Sequence, residues 1–254
     1  MLMLLSPSKT LNMDAEGAVT NATQPRLLEE SKKLIKVAKG YSADDIKRLM
    51  KVSDKIAALN YERFQNFNTP FTAENATPCV LAFKGDVYDG LDAESLDAKS
   101  IDYTQAHLRI LSGLYGLLRP KDLMQAYRME MGRKIETAKA KDLYHFWGEQ
   151  ITDLINEDAK ASKAAAVLNL ASNEYFKAVK PAKLITPLIT AHFKEKRGSE
   201  YKVLGLYAKR ARGMMARYVI EHRIESVDAL CNFTEGGYYY ASELSDEKNL
   251  VFVR

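Results

Sequence analysis

Short apolar runs alternate with longer amphipathic stretches along this 254-residue chain, and no other feature restricts its fold as much. Met1–Leu5, Cys79–Phe83, His107–Leu111, Ala166–Leu170, Tyr201–Tyr207, Gly237–Tyr240 and Asn249–Val253 have the length and composition of strands. Between them, Pro25–Lys39 carries Leu27, Leu28, Leu34, Ile35 and Ala38 on one helical stripe and stops at Gly40. Ser42 is placed to cap a second helix ending at Met50, with Asp44 and Asp45 in the first turn, where the helix dipole favours anions. Ser53 is placed to cap a third. Asp142–Asn156 and Ala211–Ile224 are helical by the same spacing. The alternation predicts one α/β domain over residues 1–254: a compact, mixed, largely parallel sheet surrounded by helices, with the last two strands as an antiparallel addition.

Composition matters mainly for what it excludes. With 46% apolar and 28% charged residues the chain is neither disordered nor fibrous. No apolar run reaches the roughly 18 residues of a membrane span, and Met1–Leu5 meets Pro7 without a basic segment before it, so it reads as a buried strand and no membrane partner is expected. Two isolated cysteines, Cys79 and Cys231, suit a reducing compartment, which predicts a cytoplasmic protein. The net charge of +4 is modest but uneven: Lys194–Arg223 holds nine Lys or Arg against three Glu, a concentration that points to an anionic partner.

Most of the expected strands run into a basic or glycine-bearing loop. Met1–Leu5 leads to Lys9, Val80–Phe83 to Lys84 and Asp86, and Leu108–Leu111 to Gly113 and then Arg119. Val167–Leu170 leads to Ser172, Glu174, Tyr175 and Lys177, and Val203–Tyr207 to Lys209, Arg210 and Arg212. In a parallel sheet these loops share the carboxyl edge, where open α/β sheets bind ligands. The expected cleft therefore contains Lys9, Lys84, Asp86, Arg119, Arg128, Glu130, Ser172, Glu174, Tyr175 and Lys177. Its lysines and arginines suit phosphate oxygens. Its carboxylates, Glu130, Glu174 and Asp86, either orient those cations or act as general acid or base.

Other motifs fail on context. Ser6-Pro7-Ser8-Lys9 has the S-x-x-K spacing but follows a strand and lacks partner motifs. There is no P-loop and no G-x-G-x-x-G, and His107, His145, His192 and His222 have no ligand spacing, so neither cofactor nor metal is expected. Leu49–Ala57 has the outline of a helix-hairpin-helix element, a module that holds a phosphate on backbone N–H groups without reading sequence. Lys51 and Ser53 stand where that module has glycines, and Lys55 can face phosphate; an ordinary α-hairpin with a capping serine reads equally well.

Taken together, Ser6–Leu11, Phe83–Tyr88, Leu111–Pro120, Tyr127–Gly132, Phe146–Gly148, Asn169–Lys177 and Tyr207–Gly213 resemble, in order and spacing, the YaaA family of peroxide stress proteins. Ser8 and Gln125-Ala126 are small departures from the family pattern and touch no charged position. The resemblance implies a compact α/β fold with a positively charged cleft and a helix-hairpin-helix element. It also implies binding to double-stranded DNA and a role in limiting iron-dependent oxidative DNA damage, hence in iron homeostasis. With the basic segments it predicts a monomer that binds duplex DNA largely independently of sequence, through Lys51, Ser53, Lys55, Lys209, Arg210, Arg212 and Arg217. The alternative is an enzyme acting on a nucleotide or nucleic-acid base, with Glu174, Glu130 or Asp86 as acid or base; an iron-binding protein ranks third.

Overall fold

The computed structural model describes residues 1–254. From the N-terminus the elements are strands Leu2–Leu5 (β1) and Thr10–Leu11 (β2), then helices Leu28–Lys39 (α1), Ala43–Met50 (α2) and Asp54–Asn66 (α3). Next come Thr77–Pro78 (β3), helix Cys79–Ala82 (α4), Phe83–Lys84 (β4), and helices Asp86–Leu91 (α5) and Ala98–His107 (α6). A hairpin, Leu108–Ser112 (β5) and Gly116–Leu118 (β6), precedes Leu123–Met124 (β7), helices Leu143–Trp147 (α7) and Gln150–Ala161 (α8), and Val167–Asn169 (β8). Helix Asn173–Phe176 (α9), strands Leu188–Arg197 (β9) and Glu200–Lys202 (β10), and helices Gly205–His222 (α10) and Val227–Leu230 (α11) follow; Tyr239–Tyr240 (β11) and Asn249–Val253 (β12) close the chain.

The main sheet has the order β11-β12-β9-β8-β1-β5-β6, with β10 paired to β9. β1, buried along its whole length, pairs in parallel with β5 on one side and β8 on the other, and β8–β9 and β9–β12 are also parallel. An unbroken apolar run such as Leu2-Met3-Leu4-Leu5 suits a strand covered on both faces. β6, β10 and β11 are antiparallel, so the sheet is mixed and mostly parallel. Helices pack around it over one continuous apolar core that includes Trp147, Phe64, Phe83 and Phe252. α10 lies so close to α5 that a Cβ on Gly213 would come within 1.8 Å of the Val87 carbonyl oxygen; only glycine permits that contact. No helix is long and apolar enough to cross a membrane.

Several expected elements differ. Cys79–Phe83 forms a helical turn through Ala82, docked by Cys79 N–H on the Asp122 carbonyl and Val80 N–H on the Pro120 carbonyl; a short run apolar throughout carries no period to separate helix from strand. Tyr201–Tyr207 ends as a strand at Lys202, and α10 begins at Gly205, so Lys209, Arg210 and Arg212 stand on a helix and not on a strand-end loop. Asp142–Asn156 is two helices, parted at Gly148, whose φ of 54° breaks the spiral. The longest strand, β9, has strict period-2 burial, with Ile189, Ala191, Phe193 and Glu195 inward. The charged run Lys194–Arg197 conceals that pattern in the sequence. Of the two last strands, β11 is antiparallel but β12 continues the parallel sheet.

Asp158 on α8 ties the sheet to two segments. Arg26 Nη1 and Nη2 donate to its Oδ1 and Oδ2 at 3.0 and 2.6 Å, and Arg109 Nε of β5 donates to Oδ2 at 2.5 Å, with Asp158 and Arg109 both buried. Burial pushes the Asp158 carboxyl up, but the hydrogen bonds and charges of Arg109 and Arg26 outweigh it and hold it below its ordinary 3.8. Because the folded-state value is depressed, the ion cluster stabilises the fold above about pH 4 and loses that contribution as pH falls through the folded value. Asp158→Asn strands a buried guanidinium, so urea unfolding at pH 7 is expected to show a loss of about 3–5 kcal/mol. That gap should narrow as the parent is acidified; a loss under 1 kcal/mol would contradict the assignment.

Candidate functional site

The carboxyl ends of β5, β1 and β8 lie side by side, and the loops leaving them interlock. Ser6 Oγ, just past β1, accepts the Ser172 N–H at 2.8 Å and donates to Ser172 Oγ at 3.2 Å beyond β8. Tyr88 of α5 donates its hydroxyl to the Ser6 carbonyl at 3.0 Å. At the end of β5, Ser112 Oγ accepts the Tyr115 N–H at 2.9 Å and meets the Tyr127 hydroxyl at 2.6 Å. Gly113 lets Tyr127–Arg133 cross this edge, since a Cβ there would stand 2.1 Å from the Met129 carbonyl oxygen.

That crossing segment delivers Glu130, which is 3% exposed. Its Oε1 faces three cations: Arg128 Nη2 at 3.2 Å, Lys9 Nζ at 3.4 Å and Arg133 Nη2 at 3.5 Å. Its Oε2 is buried without a hydrogen-bond partner. Burial pushes the Glu130 carboxyl up, but Arg128, its own backbone N–H, Arg133 and Lys9 outweigh burial, and the net shift is downward. Glu130 is therefore a fixed negative charge that gathers cations, and a weak base. Glu174 braces the turn that follows, accepting the Gly132 N–H on Oε1 at 3.0 Å, while the Tyr144 hydroxyl donates to the Glu174 carbonyl at 2.8 Å. Lys177 lies 5.0 Å from the centre of the Tyr144 ring, and Tyr175 is buried, its phenol pushed up by burial.

Lys9, Arg128, Glu130, Ser172, Glu174, Tyr175 and Lys177 thus gather at or beside one edge, with Arg133 added. Arg133 is missed by sequence reasoning, although Glu130-Met131-Gly132-Arg133 has the four-residue span of a β-turn, and the turn forms with Arg133 N–H on the Glu130 carbonyl at 3.1 Å. Lys84 and Asp86 border the same edge across the β2–β4 ladder, where Thr10 pairs Lys84, but Lys84 is engaged by Glu94. Arg119 is elsewhere. It follows β6, which runs antiparallel to β5 and returns to the opposite edge, where Arg119 is held by buried Asp122 at 2.8 Å and by the Gln24 carbonyl. Arg217 is committed to Glu221, Ser95 and the Leu91 and Asp92 carbonyls. Lys209 and Arg210 are exposed on the first half of α10, while Arg212 is half-buried, its Nε unpartnered and its guanidinium value lowered by burial.

α2 and α3 form the expected hairpin. Lys51 adopts the left-handed backbone (φ 53°, ψ 58°) that a glycine would take most easily, and Ser53 Oγ caps α3 at the Ile56 N–H. Lys51, Ser53 and Lys55 are exposed; Asp54 between them is neutralised by Lys47 at 2.6 Å. A cavity of about 1150 Å³ lies away from the strand-end cluster, between the later part of α3 and the Met13–Ala22 segment, and Asp14, Glu16, Glu62 and Glu74 in its wall outnumber Arg63. Such a wall disfavours a polyanion. No group of three His, Cys, Asp or Glu side chains is placed to hold a metal ion.

Comparison with known proteins gives one consistent result. A family model described as "Peroxide stress protein YaaA" matches residues 1–244. A UPF0246 protein of Alteromonas mediterranea is 50% identical over 254 residues, covering 100% of this chain and 98% of its own length. UPF0246 proteins of Pseudoalteromonas translucida (51%, 98% of its length) and Shewanella piezotolerans (50%, 99% of its length) also align with the whole chain.

Glu130→Gln tests the ion cluster. It leaves three cations facing a neutral amide, and at pH 7 it is expected to cost about 1–3 kcal/mol in denaturant unfolding. Since the folded Glu130 value lies below its ordinary 4.5, the parent's advantage should be complete above about pH 5.5 and vanish as pH falls through the folded value. A gap unchanged at pH 3 would contradict an electrostatic origin.

Proposed function

The chain belongs to the YaaA family of peroxide stress proteins, and from that premise we propose that it binds double-stranded DNA and limits iron-dependent oxidative damage to it. The observation that carries the reading is the surplus of cation over carboxylate at the strand ends, where one recessed carboxylate presents Lys9, Arg128 and Arg133. Three guanidinium or ammonium groups on a rigid edge suit backbone phosphates, which supply affinity without sequence information. The α2–α3 hairpin offers a second phosphate contact: Lys51 and Lys55 flank a helix N-terminus whose dipole favours anions. Exposed Lys209 and Arg210 have no acidic partner and extend the positive surface along α10. An acid–base enzyme is less well supported, because Glu130 is held ionised below its ordinary range and Glu174 Oε1 is spent on the Gly132 N–H.

Duplex affinity is expected to fall linearly on a log–log plot against salt and to vary little between unrelated sequences of equal length. The Lys9→Ala/Arg133→Ala pair should flatten that slope by about 0.9 for each phosphate it leaves without a cation. Fluorescence anisotropy at several salt concentrations measures both. A salt-independent affinity, or a slope the pair leaves unchanged, would contradict the reading.

A further inference from the structure

We propose that Lys9, Arg128 and Arg133, gathered on Glu130, form a receptor for a phosphate monoester dianion, supplied by the terminus of a DNA strand. The proposal rests on the duplex-binding reading and adds which phosphate this edge prefers.

Charge makes the first case. Three cations converge on one carboxylate oxygen, and the neighbouring Glu174 carboxylate is offset by Lys177 at the end of the same helix, so the edge carries two positive charges in excess. An internal phosphodiester brings one negative charge. A terminal monoester, whose second ionisation lies near pH 6, brings close to two at neutral pH, together with three acceptor oxygens. The excess therefore matches a strand end and overshoots a single internal phosphate.

Donor geometry makes the second. Arg128 alone hydrogen-bonds Glu130, through Nε at 3.3 Å and Nη2 at 3.2 Å. Lys9 and Arg133 stay at 3.4 and 3.5 Å, ion pairs that leave their N–H groups available. Glu130 thus fixes the cations without saturating them.

Recess makes the third. The Arg128 and Arg133 side chains are only 19% and 25% exposed, and the lysine closing the cluster, Lys9, is 58% exposed. An internal phosphate carries a sugar on each side and lies along a continuous backbone. A terminal phosphate has one free side and can enter a partly sunken site. The Ser6–Ser172 and Glu174–Gly132 contacts hold the surrounding loops in place, so the recess is preformed.

The test compares three duplexes of one sequence at fixed salt: phosphorylated at every strand end, bearing hydroxyl ends, and covalently closed with hairpin caps. At pH 7.5 the phosphorylated duplex is expected to bind roughly tenfold tighter than the other two, the scale of an added charge-assisted hydrogen bond. The preference should shrink at pH 5.5, where most of the monoester has taken up a proton and carries close to one negative charge, while Glu130, held below its ordinary 4.5, remains ionised. Arg133→Ala should erase the preference and Arg133→Lys should keep part of it. Equal affinity for all three duplexes would overturn the proposal and leave duplex binding standing. No binding to any of them would overturn both. Inorganic phosphate displacing the phosphorylated duplex at concentrations that merely match that duplex would show a receptor for free phosphate, and would overturn the assignment to a strand end.

Discussion

The parallel pairing of β1 with β5 and β8 is the constraint on which the rest of the molecule depends. Because all three strands run the same way, the loops after Leu5, Ser112 and Asn169 leave from one edge, with the β5 and β8 loops each about one 4.8 Å strand spacing from the β1 loop between them. Everything at the candidate site is built on that coincidence. Ser6 can reach Ser172 because β1 and β8 are neighbours. The Tyr127–Arg133 segment can lie across all three ends because Gly113 lets its backbone pass.

The fold class and much of the site were legible in the sequence for the same reason. A four-residue run apolar at every position, followed at once by Ser-Pro-Ser-Lys, reads as a central strand with a polar end, and β1 is that strand. The serine caps at Ser42 and Ser53 were equally readable, since capping is local chemistry. Features that depend on tertiary direction were not. Arg119 was expected in the loop leaving β5, but the chain turns back at once as β6, and no local signal in Gly116–Leu118 announces a returning strand that carries Arg119 to the opposite edge. β9 was hidden because its inward-facing Glu195 is neutralised by Arg254 and Tyr238, partners remote in sequence, so a charged residue occupies a buried strand position. Arg133 escaped because its place beside Glu130 comes from a turn braced by Glu174, forty-two residues beyond Gly132.

Family membership and physical reading meet at Glu130. The family connects the chain with peroxide stress; the geometry shows a buried carboxylate that spends its charge gathering cations at the strand-end edge. Such an arrangement is costly unless something anionic uses it. Three like charges within contact of one oxygen repel each other, and Oε2 is buried with no partner. A phosphate would relieve the repulsion, which makes anion binding and local stability two aspects of one cluster.

The most direct test of the central claim is hydrogen–deuterium exchange of the free protein against the protein saturated with duplex. Slowed exchange is expected in Ser6–Thr10, in Tyr127–Arg133 and across the Lys51–Lys55 hairpin, with Arg119–Asp122 at the opposite edge unchanged. Protection confined to that opposite edge or to the acidic cavity beside α3, with the strand-end loops exchanging as before, would contradict it.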